Sequence, residues 1–203
     1  MRSASRRATA RTPCKGTMST FANLPIETPR LRLRPALESD AQALFEIFAD
    51  PQVMRYWSSG PWTDIALAHQ RIARDLAELQ SRASLQLMIE RREDSRLLGQ
   101  CSLHHIVPDC RRADVGYILA AEVWGRGYMH EALSALLRHG FGPSLNLNRI
   151  EGDVDPRNGP SVRALERLGF RQEGLLRERW IVAGEVQDSA IYGLLRSESP
   201  LAG

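Results

Sequence analysis

The segment from Ala113 to Val154 constrains the fold of this chain more than any other. Ala113–Ala120 alternates as a strand, with Asp114, Gly116 and Ile118 on one face and Val115, Tyr117 and Leu119 on the other. A glycine turn, Trp124-Gly125-Arg126-Gly127-Tyr128, then opens a helix that buries Met129, Ala132, Leu133, Leu136 and Leu137. Arg149 to Val154 is the next strand. A strand, a helix and a strand in this order cannot close as a hairpin; the crossover requires a parallel pair.

The rest of the chain sets that pair in a larger sheet. Arg30 to Arg34 alternates as a half-buried strand, and a helix from Glu38 carries Leu44, Phe45 and Phe48 to its stop at Asp50-Pro51. A second helix over 63–82 has the stripe Ile65, Ala68, Ile72, Leu76 and Leu79. Strands follow at 85–90 and 97–107, and two more, near 170–179 and 186–194, come after a helix from Ser161 to Leu168. The early strands read as an antiparallel meander. The expected fold is α/β of the α+β type: a mixed, mostly antiparallel central sheet of about seven strands, with helices on both faces.

The formal charge of +3 is a property of one end. Residues 1–17 hold Arg2, Arg6, Arg7, Arg11 and Lys15 with no acid, and without those five charges residues 18–203 stand at −2. We therefore expect residues 1–25 to be a disordered basic tail and linker, and 26–197 to be the folded domain, with no nucleic-acid face. Cys14, Cys101 and Cys110 form no paired pattern, which fits a reducing compartment. No apolar run is long enough for a membrane span, so a soluble cytoplasmic protein without a membrane partner is expected.

The glycine turn invites comparison with nucleotide loops. A dinucleotide fingerprint needs glycine at position 130, which is His130 here, and no P-loop sequence occurs. What remains is a turn whose amides face an anion, or simply a strand-to-helix connection. Asn158 has two readings as well: a cap for the following helix, or an amide reaching into a cleft between the two parallel strands. Cys101, His104, His105 and Cys110 do not assemble a metal site on paper, because strict alternation puts His104 and His105 on opposite faces. His130-Glu131 lacks the second His of a zincin.

With these residues in hand, the chain resembles the GNAT superfamily of acetyl-CoA-dependent N-acetyltransferases, in particular the RimJ/RimL type that acts on N-terminal α-amino groups of ribosomal proteins. The likeness runs over about residues 26–195: Glu27-Thr28-Pro29-Arg30-Leu31-Arg32-Leu33-Arg34, Asp114-Val115-Gly116-Tyr117, the glycine turn, and Asn158 through Gly169-Phe170. The resemblance implies that the parallel strands splay, and that acetyl-CoA is the co-substrate with no metal. It implies that the amides of Trp124, Gly125, Arg126, Gly127, Tyr128 and Met129 hold the pyrophosphate. Ile118 and Leu119 would pair with the pantetheine arm, and Asn158 would hydrogen-bond it. The acceptor amine would attack the thioester directly in a ternary complex.

Asp114 is the candidate general base, acting through a water; its alternative is to order the strand entry after Arg111-Arg112. The tyrosine that many members use as proton donor is Leu165 here, which leaves Ser161 as candidate acid or as a helix-start residue. The acceptor is a protein N-terminus, or a small amine such as an antibiotic, polyamine or amino-acid derivative. A non-catalytic acyl-CoA-binding module is the remaining alternative. Tyr56, Trp57, Trp62 and Trp180 are candidate acceptor-wall aromatics. The assembly is a monomer or homodimer.

Overall fold

Leu31 and Leu33 are fully buried on one face of the sheet, while on the other Arg32 is exposed and Arg34 pairs with Asp40 and Glu90, as alternation requires. The computed structural model describes residue 21 and residues 23–201. Most of the basic tail lies outside these residues; at its end Phe21 and Leu24 pack against the core.

The elements are β1 (Ile26–Glu27), β2 (Leu31–Arg34), α1 (Ala41–Ala49), α2 (Pro51–Met54), α3 (Ala66–Ser81), β3 (Leu85–Arg91), β4 (Leu97–Val107), β5 (Arg112–Leu119), α4 (Tyr128–Phe141), β6 (Arg149–Val154), α5 (Gly159–Arg167), β7 (Arg171–Val182) and β8 (Glu185–Leu195). They form one eight-stranded sheet in the order β1-β2-β3-β4-β5-β6-β8-β7. The seven expected strands are joined by β1, too short to carry a periodic signal. Pro51 opens α2 as well as ending α1, because the Asp50 carboxylate accepts from the Gln52 amide at 2.8 Å and proline suits a first helical position.

Among the described residues only β5 and β6 run parallel, and they pair only over Arg112–Asp114 and Arg149–Glu151. Beyond Asp114, β5 follows β4 as far as Leu119 opposite Gly99, whereas β6 follows β8. The strands thus splay, and the edge of β5 from Val115 to Leu119 is left unpaired by β6.

Side-chain contacts fix the two faces of the sheet. Leu103 and Ile150 meet Gly140 of α4, and Leu165 of α5 rests on Gly152 and Val115, so α4 and α5 cover one face. Gln100 donates to Asp75 of α3 at 2.6 Å, so α3 covers the other. Across the ladder Ser102 lies opposite Gly116 and His104 opposite Asp114 on that α3 face, while Cys101 and Tyr117 share the α4 face.

Strict alternation fails in one place. The β4–β5 register shifts between His104 and Val107, and His105 has φ +48°, a bulge that swings consecutive side chains to the same side. His105 Nδ1 consequently lies 2.9 Å from Asp114 Oδ2. The expectation that His104 and His105 point to opposite faces is therefore corrected.

Candidate active site: two clefts joined at the splayed strand

Two positive-φ glycines build the turn between β5 and α4, Gly125 at +74° and Gly127 at +78°. Such values strain any residue with a β-carbon, and here they aim the chain into the helix. The first bond of α4 runs from the Glu131 amide to the Gly127 carbonyl at 3.1 Å. The amides from Gly125 to His130 are left for an outside acceptor, at the positive end of a fourteen-residue helix, whereas the Trp124 amide, expected among them, already donates to the Ala121 carbonyl at 3.1 Å.

Arg30 holds this turn from behind. Its Nε donates to Glu131 at 2.6 Å, its Nη1 to the Arg126 carbonyl at 3.0 Å, and its guanidinium lies over the Tyr128 ring at 4.6 Å. Glu131 also accepts from the Thr28 hydroxyl at 2.7 Å and the Arg30 amide at 2.9 Å. Burial pushes the Glu131 carboxyl upward, but these donors outweigh it and hold it below its ordinary value. Glu131→Gln is expected to weaken cofactor affinity about 5- to 10-fold with little change in maximal rate, because it loosens the turn without touching the reacting atoms. A titration of acetyl-CoA binding beside saturating kinetics checks this.

The turn opens on a cleft of about 590 Å³, within the usual range for small-molecule sites. Ile118, Leu119, Trp124, Gly125, Gly127, Tyr128, Met129, Asn158 and Ser161 line it, so nearly all the expected cofactor residues converge. Arg126 is the exception: its side chain is not on the wall, and its carbonyl is occupied by Arg30. The Leu119 carbonyl accepts from the Trp124 indole at 2.9 Å, which leaves one of its lone pairs for a ligand. Arg55, Arg163 and Arg167 also line the cleft, with no carboxylate among the lining residues. The cleft is thus set for a polyanion. The i, i+4 spacing of Arg163 and Arg167 on one face of α5 is the signal in the sequence that could have found them.

Asn158 is the N-cap of α5, its side-chain oxygen accepting from the Ser161 amide at 3.2 Å. It lines the cleft too, so the cap and ligand readings coexist, with the NH2 end of the amide left for the ligand. Leu165 is buried against Gly152. It offers neither a polar atom nor access to the cleft. In its place stands a residue the sequence reading passed over: Tyr117, whose hydroxyl lies 2.6 Å from Ser161 Oγ. Burial pushes the Tyr117 phenol up to about 12, so it remains protonated at neutral pH.

A second cleft of about 570 Å³ lies on the α3 face. Arg71, Arg74 and Glu78 line it from α3, Gln86 from β3, Gln100, Ser102, His104 and His105 from β4, and Gly116 from β5. Arg71 is held by the buried Asp75 carboxylate at 2.9 and 3.0 Å. Trp57, Tyr117 and Ile118 belong to both clefts, which makes the splayed strand their meeting point. Asp114 lines neither. It sits behind His105 and 3.6 Å from Arg112 Nη1. Of the other candidate aromatics, Tyr56 lines the first cleft, Trp62 stacks on Phe48 at 4.3 Å, and Trp180 stands on the exposed β7 outside both. A ring nitrogen each from His104 and His105 and a carboxylate oxygen of Asp114 come within 4.8 Å of one another, whereas Cys101 faces the other side of the sheet.

Residues 30–171 match the family model of the acetyltransferase (GNAT) domain. An uncharacterised N-acetyltransferase of Bacillus licheniformis, p20, is 36% identical over 176 residues, covering 84% of this chain and 96% of the relative. Spermidine N(1)-acetyltransferase of Escherichia coli is 25% identical over 162 residues, covering 78% and 82%. Mycobacterium smegmatis RimJ, solved in complex with CoA-disulfide, superposes with a TM-score of 0.74 at 29% identity, covering 84% of each chain. The chain belongs to the GNAT family and is an acetyl-CoA-dependent N-acetyltransferase.

Proposed function

We propose that the protein transfers the acetyl group of acetyl-CoA to the N-terminal α-amino group of a peptide or protein, a ribosomal protein being one candidate, within the cytoplasm. The observation that carries this reading is the pair of clefts on opposite faces of the sheet, meeting at Tyr117 and Ile118. One is cationic and built around free amides, as a pyrophosphate and a further phosphate require. The other receives the acceptor.

The charge of the second cleft favours one acceptor class. Arg71 and Arg74 line it with a single lining carboxylate, Glu78, so the cleft has little negative charge to hold a polyamine. An α-amino group flanked by peptide carbonyls meets donors from Gln86, Gln100 and Ser102.

In this reading the amides of Gly125 to Met129 hold the pyrophosphate, the Trp124 amide being taken by the Ala121 carbonyl; the open edge of β5 at Leu119 pairs with the pantetheine, Ile118 turning its carbonyl to Gly99 of β4, and the Asn158 NH2 bonds that arm. The amine attacks the thioester carbonyl with both substrates bound, and the Ser161 hydroxyl, backed by Tyr117, protonates the leaving thiolate. Asp114 supplies the negative charge on the side of the base and acts through an intermediary, since it lines neither cleft.

A thiol-release assay with acetyl-CoA against N-terminal peptides and polyamines tests the assignment. Peptides are expected to give kcat/KM at least about 10-fold above spermidine, a difference of about 1.4 kcal/mol in transition-state binding. Preference for spermidine would assign the protein to small amines. Tight acetyl-CoA binding without turnover of any acceptor would make it a binding module.

A further inference from the structure

Of the two imidazoles that line the second cleft, His104 is the one in ladder register with the shared strand. His104 lies across the β4–β5 ladder from Asp114, two residues from Ser102, whose hydroxyl is 3.3 Å from His104 Nδ1. The neighbouring position on β5 is Gly116. A β-carbon there would stand 3.0 Å from Ser102 Oγ and 3.3 Å from His104 Cε1. Glycine thus keeps open a gap between the β5 backbone and the imidazole, beside the Tyr117–Ile118 junction. Behind the ring, Asp114 Oδ2 takes the bond from His105, while Asp114 Oδ1 is buried, has no hydrogen-bond partner among the described residues, and meets the Arg112 guanidinium only at ion-pair distance, 3.6 Å. A buried carboxylate oxygen without a donor is costly, and a neighbouring N–H, directly or through one water, relieves it.

We propose that His104 receives the proton the acceptor ammonium must lose, with Asp114 as the positioning group behind it. This rests on the acetyltransferase reading given above. The ammonium gives one proton to a ring nitrogen of His104, which returns it to solvent. The neutral amine then forms the C–N bond at the thioester carbonyl, and the C–S bond breaks. The second proton leaving nitrogen balances the one that Ser161 delivers to the thiolate. The products are the amide, free thiol and one released proton.

The surroundings poise the imidazole for this. Burial is the largest influence and lowers its pKa; His105 from β4 and Arg71 from α3 lower it further, while Asp114 from β5 and Glu78 from α3 oppose them. Arg74 of α3 lines the same cleft. The net shift is downward, so the ring is neutral at pH 7 and loses its basic role only as pH falls below the ordinary imidazole value of about 6.5.

His104→Gln, with acetyl-CoA affinity measured by calorimetry and kcat/KM followed across pH, tests the proposal. Acetyl-CoA affinity is expected to stay within about twofold, confirming a folded cofactor site, while kcat/KM at neutral pH falls about 100-fold. The acid limb of the profile disappears, and the residual rate climbs with pH as the amine deprotonates unaided. Asp114→Asn should move the acid limb to lower pH and reduce kcat with the acceptor KM unchanged, which mere loosening of the strand would not do. Gly116→Ala should raise the acceptor KM by filling the gap. A His104→Gln enzyme that keeps both its rate and its acid limb overturns the assignment while leaving the acetyltransferase reading intact. Wild-type protein that releases no thiol with any acceptor overturns both.

Discussion

Replacing Gly127 by valine raises the dissociation constant for acetyl-CoA about 100-fold while the protein stays folded. Gly127 has φ +78° and is the N-cap of α4. A β-branched residue in that region costs roughly 1–2 kcal/mol or more, so the backbone relaxes to negative φ and re-aims the amides of Tyr128 and Met129. Losing one charge-assisted bond to a phosphate adds about 1.5–3 kcal/mol. The lower end of the sum, about 2.5–3 kcal/mol, is about two decades in affinity. Crowding is not the cause, since a β-carbon at 127 would meet only the end of Arg30 at 3.5 Å and one at 125 would meet nothing. Calorimetry on Gly127→Val beside Gly174→Ala separates the effects: Gly174 is also uncrowded but has no positive φ, and its variant should bind normally. Unaltered affinity in Gly127→Val would remove the turn from the cofactor site.

The second large effect concerns the proton that the sulfur must gain. Ser161→Ala is expected to lower kcat about 100-fold with acetyl-CoA affinity within about twofold, the low end of what a positioned acid contributes. Tyr117→Phe should lower it about 10-fold, since it removes the neighbour that orients and replenishes the Ser161 hydroxyl across 2.6 Å. The two changes should not add, because the pair acts as a unit. Pre-steady-state thiol release measures the step. Full turnover in Ser161→Ala would assign Ser161 to the start of α5 alone, leaving Tyr117 as the donor to test next.

Most of the architecture was legible because its signals are local. The alternation at Leu31 and Leu33, the stripe of α3 and the strand–turn–helix–strand order fixed the elements and the single parallel pair. The glycine turn and Asn158 were legible for the same reason: positive φ and N-capping need particular residue types at particular positions. What could not be read depends on geometry beyond simple periodicity. A bulge at His105 breaks the two-residue alternation, so two histidines expected on opposite faces meet beside Asp114. Tyr117 was placed on the correct face, but its partner lies 44 residues away on α5, a distance no spacing rule spans. Leu165 signalled that the usual donor was missing without saying where a hydroxyl would come from. Trp180 looked like a substrate wall, and the long exposed strand β7 carries it away from both clefts.

The central claim is that cofactor and acceptor occupy opposite faces of one splayed strand and react while both are bound. Initial rates of thiol release, with acetyl-CoA and a peptide acceptor varied against each other, test it most directly. Double-reciprocal lines should intersect, and mass spectrometry of protein incubated with acetyl-CoA alone should find no acetyl adduct. Parallel lines together with an acetylated enzyme would show that the group is carried covalently between substrates, and would contradict the account.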